Sequence, residues 1–164
     1  MSITRVGVAS LGSYVTGLTE ERFKEVVKAV RTQCRTLGLA LIQEEVTNAR
    51  AVDRGVYRRG WRYRSLDDGA ELVNTAAHSA NVEAGRRKGA RMPPVESIQG
   101  WVHRKGLVAK GRNRKGRELS MAWAVARAIA KRGIKGRWIL KTAMKRFRRP
   151  LREAIRAAAA GQGK

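Results

Sequence analysis

Acidic residues, cysteine and histidine are all in short supply in this sequence. Of 164 residues, one is cysteine (Cys34) and two are histidine (His78 and His103). A single thiol excludes a disulfide within the chain and leaves no cysteine pair for zinc. The two histidines sit in no HExxH or His/Cys spacing, so no metal site is signalled. No serine lies in a GxSxG elbow, and neither a GxxxxGK[ST] phosphate loop nor a GxGxxG fingerprint occurs. No apolar run approaches the ~18 residues a membrane span requires. The opening stretch MSITRVGVASLGSYVTG lacks a cationic lead followed by an apolar core, so no secretory signal is expected. Glu83 and Glu96 could be imagined as paired carboxylates, but surroundings this basic lower carboxylate pKa values rather than poise one near neutrality. These absences predict a protein with no catalytic residue, no cofactor and no metal.

Cations are plentiful. Lys and Arg number 36 against 13 Asp and Glu, a net charge of +23. Residues 1–85 hold 12 basic and 10 acidic side chains, whereas residues 86–164 hold 24 basic and only Glu96, Glu118 and Glu153 as acids. A half so unbalanced repels itself and calls for a polyanion or an acidic protein surface. A length of 164 residues with 43% apolar content supports one domain with a modest core.

The spacing predicts one long amphipathic helix over about 19–49. Thr19 is a capping residue ahead of Glu20 and Glu21, and Phe23, Val27, Val30, Cys34, Leu37 and Leu41 recur at steps of three and four. Gly38 is expected to weaken it midway. Cys34 lies on the apolar stripe and reads as a small buried hydrophobe. The alternation in WRYRSL predicts a strand, DDG a turn, and ELVN the returning strand. AAHSANVEAG reads as a strand end or short helical turn closing on Gly85. Gly85 and Gly89 bracket a basic loop, Arg86-Arg87-Lys88. Pro93-Pro94 then starts a helix of about ten residues carrying Val95, Ile98, Trp101 and Val102, with Gly106 at its end. Residues 108–118 read as a Gly-interleaved cationic loop. A third helix follows around Met121–Ile129. A fourth, with Trp138, Ile139, Ala143, Met144 and Phe147, is bent or ended by Pro150. The terminal GQGK is expected to fray.

The expected fold is α+β: a long N-terminal helix packed on a small antiparallel β-sheet, then several shorter helices and a basic C-terminal helix. The expected organisation is a single domain over 1–150 with a basic helical extension over 151–164. An isolated hairpin is marginal. The sheet must therefore pack on the long helix, gain a third strand, or extend across subunits.

Three linked stretches resemble the tail-completion, or neck, proteins of long-tailed bacteriophages, including relatives of minor tail protein Z. They are DRGVYRRGWRYR (53–64), VNTAAHSANVEAGRRKGARMPPVESIQGWVHRKGL (73–107) and AWAVARAIAKRGIKGRWILKTAM (122–144). In that family an Asp/Thr-Gly-x-Tyr/Leu-Arg-x-Ser/Gly-Trp segment follows a long helix. An Asn, a Tyr-Ala pair, Val-Glu-x-Gly, a basic turn, Pro-Pro and a tryptophan-bearing helix come next. An Ala-rich helix and an apolar-basic helix complete the pattern. Here His78-Ser79 stands where Tyr-Ala is usual.

The resemblance implies a structural virion protein at the head–tail junction, assembled in the host bacterial cytoplasm. It completes the tail and joins it to the head connector. Its implied partners are the connector, a tail terminator or the tail tube, together with copies of itself in a ring expected to be a hexamer. Non-specific contact with DNA in the channel is expected, and no membrane. In this reading Arg86, Arg87, Lys88, Arg112, Arg114, Lys115, Arg117, Lys145, Arg146, Arg148 and Arg149 are candidates for contact with DNA or an acidic partner. Pro93, Pro94, Ile98 and Trp101 would pack their helix onto the sheet or a neighbouring subunit. Glu83 would pair with a neighbour's cation or lie on the surface. The charge alone is equally compatible with a free-standing nucleic-acid-binding protein, ribosomal- or nucleoid-like. A weaker third reading is a membrane-active basic C-terminal helix. Its mostly alanine apolar face argues against it.

Overall fold

The computed structural model describes residues 2–7, 15–51 and 54–161. The chain forms two compact units: residues 1–83 with 137–164, and residues 84–136. The fold class is α+β, as expected.

The first unit is built on the long N-terminal helix. Thr19 caps it, its Oγ1 accepting a hydrogen bond from Arg22 N at 3.3 Å, with Glu20 and Glu21 in the first turn. α1 (Glu20–Gln33) runs through a π-helical turn (Cys34–Gly38) directly into α2 (Leu39–Asn48). The irregular turn falls at the glycine that the sequence marks as weak. A Cβ at Gly38 would sit 3.1 Å from Leu72 Cδ1 and 3.4 Å from Phe147 Cζ, so its bare backbone admits the sheet and another helix at close range. The helix buries Val26, Val27, Val30, Cys34, Leu41, Ile42 and Val46.

After the short α3 (Val56–Arg59), β2 (Trp61–Leu66) and β3 (Gly69–Asn74) form the expected hairpin. β1 (Ser2–Gly7) supplies the third strand, giving the order β1-β3-β2 with both pairings antiparallel. Ser2 and Trp61 both stand opposite Asn74, and Gly7 and Leu66 both oppose Gly69. β3 is the central strand, and all six of its residues are buried. α4 (Ser79–Glu83) is the short helical turn that precedes Gly85.

The chain returns to this unit as α7 (Ile139–Ala159), which packs along α1 and α2. Here the structure corrects the sequence reading. Pro150 lies inside the helix and does not end it. A proline in a helix interior costs about 3 kcal/mol. The buried stripe Ile139, Leu140, Ala143, Phe147, Leu151, Ile155 and Ala158 continues across it. Burying a leucine and an isoleucine beyond the proline returns roughly 3–6 kcal/mol, enough to carry the helix through. Leu151, Ile155 and Ala158 therefore belong to the core rather than to an appended extension. The division of the chain falls at 84 and 136, not at 150. The frayed end expected for GQGK lies, past Gly161, outside the described residues, as does Asp53.

The second unit is a helical hairpin closed by a two-residue ribbon. β4 (Gly85–Arg86) pairs antiparallel with β5 (Ile134–Lys135). Gly85 (φ +77°) and Gly133 (φ +75°) both occupy left-handed backbone. A Cβ on either would strike the opposite strand, 2.1 Å from Ile134 O and 2.4 Å from Arg86 O respectively. Pro94 occupies the position before α5 (Val95–Arg104), and Gly106 (φ +61°) follows its end, as the sequence suggests. α6 (Arg114–Arg132) begins well before the expected Met121, so the cationic loop is shorter than anticipated. The cause is Glu118, which is buried and accepts from Arg114 Nε at 2.7 Å one turn earlier, drawing a basic stretch into the helix. α5 and α6 pack on a small core of Val95, Ala122 and Ala126, flanked by Met92 and Ile98.

Phe147 is 1% exposed among α1, α2 and β3 side chains. Phe147→Ala is expected to lower unfolding free energy by about 3–5 kcal/mol. The urea midpoint reads this, and an unchanged midpoint would deny α7 its place in the core.

Candidate cationic interface

In the first unit, a buried polar network determines where α7 starts. Glu83 is 7% exposed, and Leu140 N lies 3.1 Å from each of its carboxylate oxygens. Its Oε1 also accepts a hydrogen bond from the Tyr57 hydroxyl. A carboxylate at this point meets the positive end of the α7 dipole. Burial first, then the bonded Glu83 carboxylate, pushes the Tyr57 phenol well above its ordinary value. Asn74 completes the network, donating from Nδ2 to Tyr57 O at 2.9 Å and accepting from Ala76 N at 2.8 Å. Gly60 is required beside it, because a Cβ there would lie 2.5 Å from Asn74 Oδ1. Glu83 is therefore committed inside its own unit. It is not a surface acid.

With its start and core stripe set, α7 turns its cations outward. Lys141, Lys145, Arg148 and Arg152 follow one another at steps of four, three and four, placing them along one side of the helix. All four are exposed, and none has an acidic partner among the described residues. The row spans about 16 Å at 1.5 Å per residue. At its head stands Trp138, 48% exposed and in left-handed backbone (φ 51°). That conformation is an outlier for a bulky residue, costing on the order of 1–2 kcal/mol. The Lys141 ammonium lies 5.2 Å from the centre of the Trp138 ring. Glu83, Trp138, Leu140, Lys141, Met144, Lys145 and Arg148 line an open trench of about 550 Å3. The sequence reading had placed Trp138 with the apolar residues of the helix.

The remaining candidates on α7 are engaged. Arg146 bridges to α2 through Glu44 (2.9 Å) and Glu45 (2.7 Å). Hydrogen bonds that it donates to those two carboxylates hold its guanidinium above its ordinary pKa. Arg149 pairs with Glu153 at 2.9 Å. Arg152 escaped the sequence reading because the helical period was not carried past Pro150, and Lys141 because the candidates were taken only from the cluster around Lys145–Arg149. Run back from Lys145 and on through the proline, the same spacing finds both.

The second unit carries 15 basic residues against Glu96 and Glu118. Arg87, Lys88, Arg112 and Lys115 are exposed, and their side chains make no hydrogen bond or ion pair among the described residues. The other candidates are committed locally. Arg86 donates to Arg91 O, and Arg117 donates to Ala109 O at 3.2 Å and Arg112 O at 3.3 Å. Glu118 gathers Arg114 and, at 3.0 Å, His103 Nδ1. Burial opposes the charge on Glu118, but the bonds to His103 and Arg114 prevail and hold its carboxyl below the ordinary range. Ile98 packs on the α5–α6 core, while Trp101 and Pro93 are half-buried and Pro94 is exposed. Within its own unit, α5 packs on α6. Leu119 (42%), Met121 (39%) and Trp123 (44%) are left exposed on α6.

Cys34 is fully buried, and that burial pushes its thiol up to about 12. It is a core side chain rather than a nucleophile. Among the described residues no group of three or more His, Cys, Asp or Glu could hold a metal ion. Nor is any helix among them long and apolar enough to cross a membrane. No family model, curated protein or solved structure matches this chain.

Two outcomes follow from this chemistry. Glu83→Gln removes the anion from the α7 N-terminus and is expected to cost about 1–3 kcal/mol in chemical denaturation. Tyr57→Phe, which leaves the carboxylate on Leu140 N, should cost less. Because the folded pKa of Glu118 is depressed, its stabilising effect is full above the ordinary carboxylate range. The effect is lost as pH falls through the lower folded value. Acid titration followed by amide exchange in α5 and α6 should show that loss, and Glu118→Gln should abolish its pH dependence.

Proposed function

We propose that the chain is a non-enzymatic structural protein of a bacteriophage neck, completing the tail and joining it to the head connector as a homo-oligomeric ring. The observation that carries this reading is the convergence of the family-like stretches on one buried network. Gly60 and Tyr57 from the first stretch meet Asn74 and Glu83 from the second, and Glu83 seats the N-terminus of the helix that the third stretch opens. Residues within the stretches that carry the resemblance thus share one physical task. Side chains that act together must be present together, which gives the pattern a cause.

The charge distribution adds independent support. Among the described residues, side chains without an acidic partner form an outward row on α7 and include Arg87, Lys88, Arg112 and Lys115 of the second unit. A ring around translocating DNA uses such charge as diffuse attraction, with no need for base reading. Exposed Leu119, Met121 and Trp123 provide apolar surface of the kind that subunit contacts use.

The alternative reading, a free nucleic-acid-binding protein, rests on the same cations but gives no role to the exposed apolar residues of α6. Imaging of particles carrying a labelled form of this chain decides between them. The expected result is density at the head–tail junction with rotational symmetry. Label dispersed through the packaged nucleic acid, or absent from the particle, would sink the neck reading.

A further inference from the structure

We infer that the outward row of α7, Lys141, Lys145, Arg148 and Arg152, is a docking face for the sugar-phosphate backbone of duplex DNA. This deepens the neck reading by naming the partner of one face, and rests on it for the setting in which a duplex passes by.

The composition of the face selects the partner. Protein–protein contacts are built on an apolar or aromatic centre depleted of charge. This side of α7 is dominated by charge: four exposed cations stand in line, with half-buried Met144 among them and Trp138 at one end. The helix separates its charges by function. Arg146, on another flank, is bound by Glu44 and Glu45, and Arg149 is bound by Glu153. Among the described residues, no acid pairs with the cations of the row. A nearly regular line of positive charge along ~16 Å of rigid helix suits a polymer whose negative charges are themselves regularly spaced. Trp138 fixes one end of that line. Its left-handed backbone and its ring, 5.2 Å from the Lys141 ammonium, hold the first cation at the mouth of the trench. Trp138 acts here as a positioning residue. Nothing on the face reads bases, so binding is independent of sequence.

The test measures binding of the full chain to a short fluorescent duplex of mixed sequence across a salt series. Lys145→Gln/Arg148→Gln removes two unpaired, exposed charges and should leave the melting temperature unchanged. The double variant is expected to lower the slope of log affinity against log salt by about 2, at ~0.9 per lost phosphate contact, and to weaken binding by roughly tenfold or more near 0.1 M salt. Arg87→Gln/Lys88→Gln, in the other unit, should lower the slope less. Two results overturn the inference: a wild-type slope in the α7 double variant, or tighter binding of wild-type chain to polyglutamate than to the duplex. The second would make the row a face for an acidic protein. Position in the particle remains a separate question. A chain that grips duplex through α7 but lies away from the neck removes the neck reading and leaves this one, and a chain at the neck with an indifferent α7 does the reverse.

Discussion

The carboxylate of Glu83 holds the first unit in register. It ends α4, accepts the Tyr57 hydroxyl from α3, and receives the Leu140 amide at the start of α7. Each contact joins segments distant in sequence, 26 residues in one case and 57 in the other. A buried anion is costly unless well bonded. Here its partners are a phenol and a helix N-terminus rather than an arginine, so no cation is consumed in neutralising it. In a chain so rich in arginine that economy is informative. The starting point of α7 is fixed by a dipole and a hydroxyl, and the cations of α7 stay available for its outer side.

The two units handle excess charge differently. In the first, acids are placed where a cation would otherwise disturb packing: Glu44 and Glu45 receive Arg146 where α7 meets α2. In the second, acid is nearly absent, and its single buried example, Glu118, draws Arg114 and His103 into the helix pair. Its small core leaves self-repulsion weakly opposed. That balance makes the second unit the part of the chain most responsive to an anionic neighbour and to ionic strength.

Much of the fold was readable from periodicity. The long helix, its Thr19 cap, the DDG hairpin and the Pro-Pro helix start all appear where local chemistry places them. The misreadings have tertiary causes. Pro150 is a helix breaker locally, but burial of Leu151 and Ile155 overrides it. Gly116 and the cations around it read as loop, yet Glu118 and Arg114 make them helix. β5 and the third strand β1 depend on pairing with residues far along the chain, which no local pattern reports. For the candidate interface, the sequence showed the abundance of cations but not which ones their own chain already holds. Arg146 and Lys145 are adjacent in sequence and opposite in role. Glu83 was visible as a residue and invisible as an anchor, because its partners come from α3 and α7.

The point where the chain leaves the first unit is also where it returns. Arg137 N bonds Val82 O at 2.9 Å, and Trp138 N bonds Glu83 O at 3.1 Å. The 53 residues between them form a closed excursion that starts and ends at one doorway. Loop-closure entropy varies only weakly with the length of such an excursion. The doorway thus tolerates cargo of very different size, and selection can lengthen, trim or exchange what it carries without disturbing the helix–sheet frame behind it.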